Sequence, residues 1–208
     1  MINIKPEDIE KRSFEIISEE LKEKGIILDP INELVIKRVI HTSADFDYAT
    51  NLVFSNKATL IGIEALKKGC DIVTDTKMAQ AGINKRVLAS LGGEVHCFMS
   101  DEDVAVEAKK RGVTRATISI EKAAKLNKPF ILAIGNAPTA LIELKKLIDE
   151  KKINPILIIG VPVGFVNVVE AKELIMETDV PYIVARGRKG GSNVAAAIVN
   201  AMLYQITR

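Results

Sequence analysis

The sequence has no tryptophan, few other aromatic residues, and only two cysteines and two histidines among its 208 residues. The scarcity of aromatic side chains removes the stacking platforms on which proteins bind single-stranded bases. The formal net charge is only +2, so any site for an anion must be local rather than a property of the whole surface. No apolar run approaches the length of a membrane span. We therefore expect no nucleic-acid partner and no membrane partner.

The two cysteines, Cys70 and Cys97, stand far apart and lack the spacing of a metal site. Both lie in or beside apolar runs, so we expect them to be reduced and buried in a cytoplasmic protein. The polar, charged N-terminus predicts no signal peptide. The sequence contains no H-E-x-x-H, paired C-x-x-C or G-x-S-x-G motif. Metal-dependent hydrolysis and a serine nucleophile are therefore without support.

Amphipathic helices are predicted for the first third of the chain. Pro6 opens the first helix, which ends near Gly25, and Asp29 is predicted to cap the second. A short third helix is expected to run through Val53, and a fourth from about residue 56 to residue 68.

The second helix carries Arg38 and His41 on one side, at the edge of its apolar face. Histidine is the side chain that exchanges protons near neutral pH. A lone helical histidine is nevertheless more often a structural residue. Ser13 is the polar member of the apolar face of the first helix. It also has an ordinary structural explanation, which is a hydrogen bond to the backbone of its own helix.

Short β-rich runs alternate with helices from residue 70 onward. Strands are predicted at 70–74, 94–99, 130–134, 155–159 and 181–185, and helices at 84–91, 102–111, 115–126, 139–150, 166–177 and 193–205. This alternation predicts an α/β fold with three layers: a doubly wound, mainly parallel five-stranded sheet of flavodoxin-like type, with extra N-terminal helices. No linker interrupts the pattern, so residues 1–208 are predicted to form a single domain.

Each of the last three strands runs into a glycine-containing turn and then a helix, at residues 135–139, 160–164 and 186–192. Such turns meet at the carboxyl edge of a parallel sheet, where ligands bind. Glycines let backbone amides approach a ligand, and helix N-termini favour anions. Tight βα connections also need glycine without any ligand. Three turns in succession, with a basic cluster on the last, indicate a site for a ligand with several negative groups.

A nucleotide site is less well supported. The segment 187–192 does not fit G-x-x-x-x-G-K-[ST], and no G-x-G-x-x-G follows the first strand. A phosphate-binding domain therefore stays only as an alternative.

The remaining polar candidates have ordinary explanations. Asp71 and Asp75 are interpreted as caps or solvated edge groups, and His96 as a structural residue. Arg115 follows Thr114, a plausible N-cap, and so lies at the helix end where the dipole disfavours a cation. That position indicates either plain solvent exposure or an anionic partner.

Several longer motifs occur in order along the chain. They are EKRSF at 10–14, RVIHT at 38–42, DFDYA at 45–49, TDTKM at 74–78, AGI at 81–83, IGNAPTAL at 134–141, GVPVGFV at 160–166 and RGRKGGS at 186–192. Taken together, these motifs resemble the precorrin-8X methylmutase family of cobalamin biosynthesis, also called cobalt-precorrin-8 methylmutases. The resemblance extends over nearly the whole chain.

The resemblance implies an isomerase that moves a methyl group from C-11 to C-12 of precorrin-8X or cobalt-precorrin-8, giving hydrogenobyrinic or cobyrinic acid. It implies that His41 is the catalytic proton donor and acceptor and that Ser13, Arg38 and Arg115 contact the substrate. The turns at the strand ends would hold the ring and its acid arms. The turn residues expected to bind substrate are Asn136, Thr139, Gly164, Arg186, Arg188, Gly190 and Ser192.

The resemblance further implies a homodimer with the site near the interface. It implies no resident cofactor, because any cobalt belongs to the polycarboxylate tetrapyrrole substrate. The alternative function is a non-catalytic tetrapyrrole carrier with the same fold.

Overall fold

The computed structural model describes residue 5 and residues 8–55 and 57–207. Its helices are α1 (Ile9–Glu23), α2 (Glu33–Ser43), α3 (Tyr48–Asn51), α4 (Ala58–Lys67), α5 (Lys77–Gly82), α6 (Lys85–Ser90), α7 (Glu102–Arg111), α8 (Arg115–Ala123), α9 (Pro138–Asp149), α10 (Val168–Met176) and α11 (Ser192–Thr207). Its strands are β1 (Leu52–Phe54), β2 (Asp71–Thr74), β3 (Val95–His96), β4 (Phe130–Ile134), β5 (Leu157–Gly160) and β6 (Tyr182–Ala185).

The six strands form one sheet in the order β1-β6-β5-β4-β2-β3. Strands β2 to β6 run parallel to one another. Numbered among themselves, these five have the order 2-1-3-4-5, which is the flavodoxin-like arrangement. The predicted α/β fold with a mainly parallel sheet is thus confirmed.

The sixth strand, β1, corrects the predicted strand count of five. The short helix predicted to run through Val53 ends at Asn51, and the next three residues pair antiparallel with β6, with Leu52 opposite Ala185. Ser55 extends the pairing, because its N–H donates to the Tyr182 carbonyl. Three residues are too few for strand alternation to show in the sequence. The strand covers an edge of β6 that would otherwise expose unpaired backbone groups.

The start of α2 also differs from the prediction. Asp29 does not cap the helix, which begins at Glu33 after Asn32. The Asp29 carboxylate instead accepts hydrogen bonds from the Ile31 N–H and the Asn32 side-chain amide, forming a local turn before the helix. Pro6, predicted to open the first helix, lies outside the described residues.

Two further boundaries change around β3. The strand predicted at 94–99 covers only Val95–His96 in the structure, and a 3₁₀ turn follows at Phe98–Ser100. Helix α5 was not predicted. It begins after Thr76, whose hydroxyl accepts a hydrogen bond from the Ala79 N–H.

Alternate residues of the central strands face two separate apolar layers. In β4, Ile131 and Ala133 pack into the cluster that contains α2, α4 and α11, whereas Leu132 and Ile134 pack into the cluster that contains α8, α9 and α10. The last three strands are buried on both faces apart from the half-buried Tyr182, as their apolar sequences predict. Cys70 and Cys97 are free and buried, as predicted.

This layering decides which helix ends meet at the carboxyl edge of the sheet. The helices α9 and α11 follow directly from β4 and β6, so both begin there. Helix α8 leads into the start of β4, so its N-terminus lies at that edge too. None of the helices in the described ranges is long and apolar enough to cross a bilayer.

Candidate active site

His41 is exposed on the last turn of α2, and the helix ends two residues later at Ser43. Ala44 takes a left-handed conformation with φ 53°, which terminates the helix. The His41 imidazole lines an open depression of about 350 Å³ together with Arg38, Asn193 and Tyr204. The histidine is therefore accessible to a ligand rather than sealed in the core.

Arg38 is held by three neighbours on one side of this depression. Its Nη2 donates to Glu10 Oε1 at 2.7 Å. Its guanidinium carbon lies 4.7 Å from the centre of the Phe14 ring and 5.2 Å from that of Tyr204. The Phe14 ring is also 5.5 Å from the His41 ring. Stacking between two aromatic faces fixes the guanidinium, and the cation–π attraction stabilises it there.

Ser13 lies on α1, directly before Phe14 in the chain. Its hydroxyl donates to the Ile9 carbonyl at 2.9 Å, which is the ordinary helix bond considered above. Ser13 and His41 nevertheless line a shared depression between α1 and α2. The structure thus brings Ser13, Arg38 and His41 into one region.

The first glycine turn, at 135–139, is not an open anion site. The carboxylate of Asp75 accepts hydrogen bonds from the Gly135, Asn136 and Ala137 N–H groups at 2.7–2.9 Å. Burial raises the pKa of Asp75, and these three bonds oppose the rise. The interpretation of Asp75 as a solvated group is wrong, because the residue is buried. Its carboxyl group instead satisfies the three backbone N–H groups that precede α9.

Asp71 is likewise buried rather than solvated. It accepts hydrogen bonds from Lys128 and from the Glu94 N–H, and it lies 3.0 Å from His96 Nε2. This network supports the structural interpretation of His96.

The second turn, at 160–164, also uses backbone donors internally. The Val161 N–H donates to the Ile134 carbonyl and the Gly164 N–H to the Arg188 carbonyl. Pro162 has no N–H to offer. The Gly164 backbone therefore links the second turn to the third.

The third turn, at 186–192, carries three cations with different surroundings. Arg186 Nε lies 3.4 Å from a Glu173 oxygen. Lys189 donates to both Asp45 and Asp47 at 2.6 Å, which lowers the pKa of Asp45. Because Asp45 follows α2 closely, these bonds join the third turn to the end of the histidine helix.

The third cation, Arg188, stacks on Phe165 with its guanidinium carbon 5.4 Å from the ring centre. Arg188 and Arg115 have no carboxylate within ion-pair distance in the described part of the chain. Arg115 is exposed at the start of α8, next to Thr114, which caps the helix as predicted. These two guanidinium groups are the ones best placed to receive an anionic ligand.

The remaining candidate residues lie on or beside the turns. The Thr139 and Thr114 hydroxyls lie 2.9 Å apart, which places Thr139 beside the start of α8. The Ser192 hydroxyl is 2.7 Å from that of Thr76. Asn136 is exposed on the first turn, and Gly190 follows Lys189 in the third.

Two neighbours of His41, Asn193 and Tyr204, were not predicted from the sequence. Asn193 directly follows the predicted Ser192, so the serine and glycine run could have pointed to it. Tyr204 lies near the other end of α11, and only the packing of α11 against α2 reveals it. Nowhere in the described ranges do three His, Cys, Asp or Glu side chains converge to hold a metal ion.

The family model of precorrin-8X methylmutase matches residues 8–205. The chain belongs to this family. Cobalt-precorrin-8 methylmutase of Leptospira interrogans is 46% identical over 204 residues, covering 94% of this chain and 92% of the relative. The enzyme of the same name from Salmonella typhimurium is also 46% identical, over 97% of this chain and 96% of its own length.

A solved structure supports the same assignment at the level of the fold. The precorrin-8X methylmutase of Thermus thermophilus superimposes with a TM-score of 0.87 at 35% identity, over 96% of this chain and 98% of that one. Methylmutases are isomerases, so this chain belongs to a family of isomerases.

The buried carboxylate of Asp75 predicts a large effect on stability. In Asp75→Asn one oxygen becomes an NH₂ group that faces backbone N–H donors, so we expect the free energy of unfolding to fall by about 2–4 kcal/mol. The measurement is urea unfolding. Asp149→Asn, at an exposed ion pair on α9, is the control and should cost less than about 0.5 kcal/mol. Equal effects of the two substitutions would contradict the internal role of Asp75.

Proposed function

We propose that this protein moves the methyl group from C-11 to C-12 of precorrin-8X or cobalt-precorrin-8, with His41 as the proton donor and acceptor. The observation that carries the proposal is the exposure of His41 in an open depression beside Arg38. The third turn reaches the end of the same helix through the hydrogen bonds of Lys189 to Asp45 and Asp47. Family membership and the names of the two relatives support the reaction.

The chemistry makes few demands on the protein. The methyl group migrates within one molecule, so the substrate is neither oxidised nor reduced overall. A proton that His41 delivers to the conjugated framework makes it electron-poor and lowers the barrier to the shift. The proton returns to His41 afterwards, and the molecular formula is unchanged. No resident cofactor is needed for this sequence of steps.

Binding must hold a large ligand with several carboxylates in one orientation. Arg115 and Arg188, which lack carboxylate partners in the described ranges, are proposed to grip separate acid arms, because arginine binds carboxylates bidentately. Arg38 is proposed to bind a third acid arm near His41 while it keeps its hydrogen bond to Glu10. Carboxylates arriving beside His41 favour its imidazolium form and so prepare the acid.

The non-catalytic carrier remains the alternative and predicts binding of the tetrapyrrole without conversion. A phosphate-binding domain is disfavoured by a specific observation: Asp75 already occupies the amides of the first turn.

A substitution of His41 tests the proposal directly. We expect His41→Ala to lower turnover of precorrin-8X by about 10²–10⁴-fold, as for loss of a general acid, while binding of the product changes little. The visible spectrum follows conversion, and both the metal-free and the cobalt-containing substrate are assayed. His96→Asn, at the other histidine, is the control and should retain turnover per folded molecule. Undiminished turnover in His41→Ala would remove His41 from the mechanism.

The two arginines without carboxylate partners predict an effect on binding. We expect Arg115→Gln and Arg188→Gln each to raise KM about tenfold or more, because each removes a charge-assisted bidentate contact. The control is Arg111→Gln, at an arginine of α7 that is paired with Glu121 of α8, and it should leave KM unchanged. If neither variant raises KM, the acid arms bind elsewhere.

We also propose a homodimer. Phe165 and Val166 expose 81% and 77% of their surface beside the third turn, and Ile9 and Leu34 are exposed along α1 and α2. Exposed apolar groups of this size are typical of interfaces. Sedimentation equilibrium at micromolar concentration should give twice the mass of the 22.7 kDa chain. A monomer throughout that range would contradict this proposal.

A further inference from the structure

The Phe14 ring of α1 contacts two side chains on which the proposed reaction relies. Its centre lies 5.5 Å from the centre of the His41 imidazole, with an angle of 34° between the two ring planes. The Arg38 guanidinium carbon lies 4.7 Å from the same ring centre. One half-buried aromatic side chain therefore contacts both the proposed proton donor and a proposed carboxylate-binding group.

The His41 imidazole takes part in no hydrogen bond or ion pair within the described ranges. The titratable side chains that line the two depressions around it are Arg38, Tyr204 and Glu20. In other enzymes a catalytic histidine is oriented by a hydrogen bond from one ring nitrogen to a carboxylate or a carbonyl. Here the contact with Phe14 is the interaction that orients the imidazole, and both ring nitrogens stay available to a ligand.

Electrostatics favours the same arrangement. Arg38 and His41 are three positions apart on α2, so their side chains are neighbours on one face of the helix. When His41 carries a proton, both side chains are cations, and like charges at this spacing repel each other. The face of an aromatic ring attracts cations. Phe14 therefore offsets part of this repulsion and stabilises the charged form of the acid.

Phe14 reaches this position because it continues the apolar face of α1. Ile17 and Leu21, three and seven positions further on, are buried in the cluster that contains α2. At Phe14 the contacted residues of α2 are Arg38 and His41 rather than apolar side chains. The spacing that packs α1 onto α2 thus places an aromatic ring against two polar groups.

We propose that Phe14 is a positioning residue that holds the His41 imidazole and the Arg38 guanidinium in one arrangement, so that an acid arm bound at Arg38 brings the substrate ring beside the proton of His41. The inference rests on the proposed function, because it assigns Phe14 a part in the same reaction.

The chain contains a matched control for this contact. The Phe98 ring centre lies 5.9 Å from that of the His96 ring and 5.4 Å from Lys122 Nζ. Phe98 therefore makes the same two kinds of contact with residues outside the proposed site. The sequence has only two histidines, and each lies against one phenylalanine.

The first readout is the NMR spectrum of the two histidine rings, recorded without ligand on protein that contains isotope-labelled histidine. A neighbouring aromatic ring shifts the resonances of nearby protons. We expect Phe14→Leu to move the His41 signals and to leave those of His96 in place, and Phe98→Leu to do the reverse. Unmoved His41 signals in Phe14→Leu would overturn the contact.

The second readout is steady-state kinetics. We expect Phe14→Leu to lower kcat about tenfold or more, because a displaced acid loses its reactive geometry. Its KM should rise about three- to tenfold, because Arg38 loses one of two aromatic contacts. Phe14→Tyr keeps the ring, so both constants should stay within about threefold of the wild type. Phe98→Leu should retain kcat and KM per folded molecule.

Phe14→Met provides a second variant if Phe14→Leu does not fold, since methionine also lacks the ring and suits a helix. Moved His41 signals with unchanged kcat and KM would overturn the positioning role. A loss in Phe14→Tyr as large as that in Phe14→Leu would show that the aromatic ring is not its cause, and would overturn the proposal too.

Failure of the proposed function is recognised separately. In that case the wild-type protein neither converts the substrate nor binds the product, whereas the histidine signals still decide whether Phe14 holds His41.

Discussion

The backbone between β6 and α11 is the part of the structure on which the candidate site depends. Lys172 and the Gly164 N–H anchor its carbonyls from inside, and Lys189 reaches from it to Asp45 and Asp47 beside the end of α2. Exposed ion pairs alone contribute little to stability. The buried hydrogen bonds therefore set the shape of the turn, and the Lys189 ion pairs align it with the helix that carries His41.

The sequence predicts best those elements whose pattern is long and local. The strand at Phe130–Ile134 and the helix at Glu102–Arg111 have the predicted limits. The strand is an unbroken apolar run, and the helix ends just before Gly112, which has φ +65°. Strand β1 was missed because its three residues pair with β6, which lies far away in the sequence. Only the tertiary structure supplies that partner.

The site was harder to predict, because the three glycine turns look alike as sequences. The first turn differs from the others because its amides donate to Asp75. That residue lies about 60 positions earlier in the sequence. Lys172 resembles a solvent-exposed lysine on an amphipathic helix, and nothing local shows that it is buried. Both residues satisfy distant backbone groups, which no local pattern records. The sequence therefore predicts that the three turns meet at one edge of the sheet, but not that Asp75 occupies the amides of the first turn.

The two helix layers divide the predicted residues. Arg38 and His41 belong to the layer of α2 and α11, whereas Arg115 begins α8 in the layer on the other face of the sheet. One ligand can meet both only across the carboxyl edge. A crystal structure of the protein with the coloured product tests this arrangement most directly. We expect carboxylates of the product at Arg115 and Arg188, with the ring edge against His41. Product bound away from this edge, with His41 facing only solvent, would contradict it.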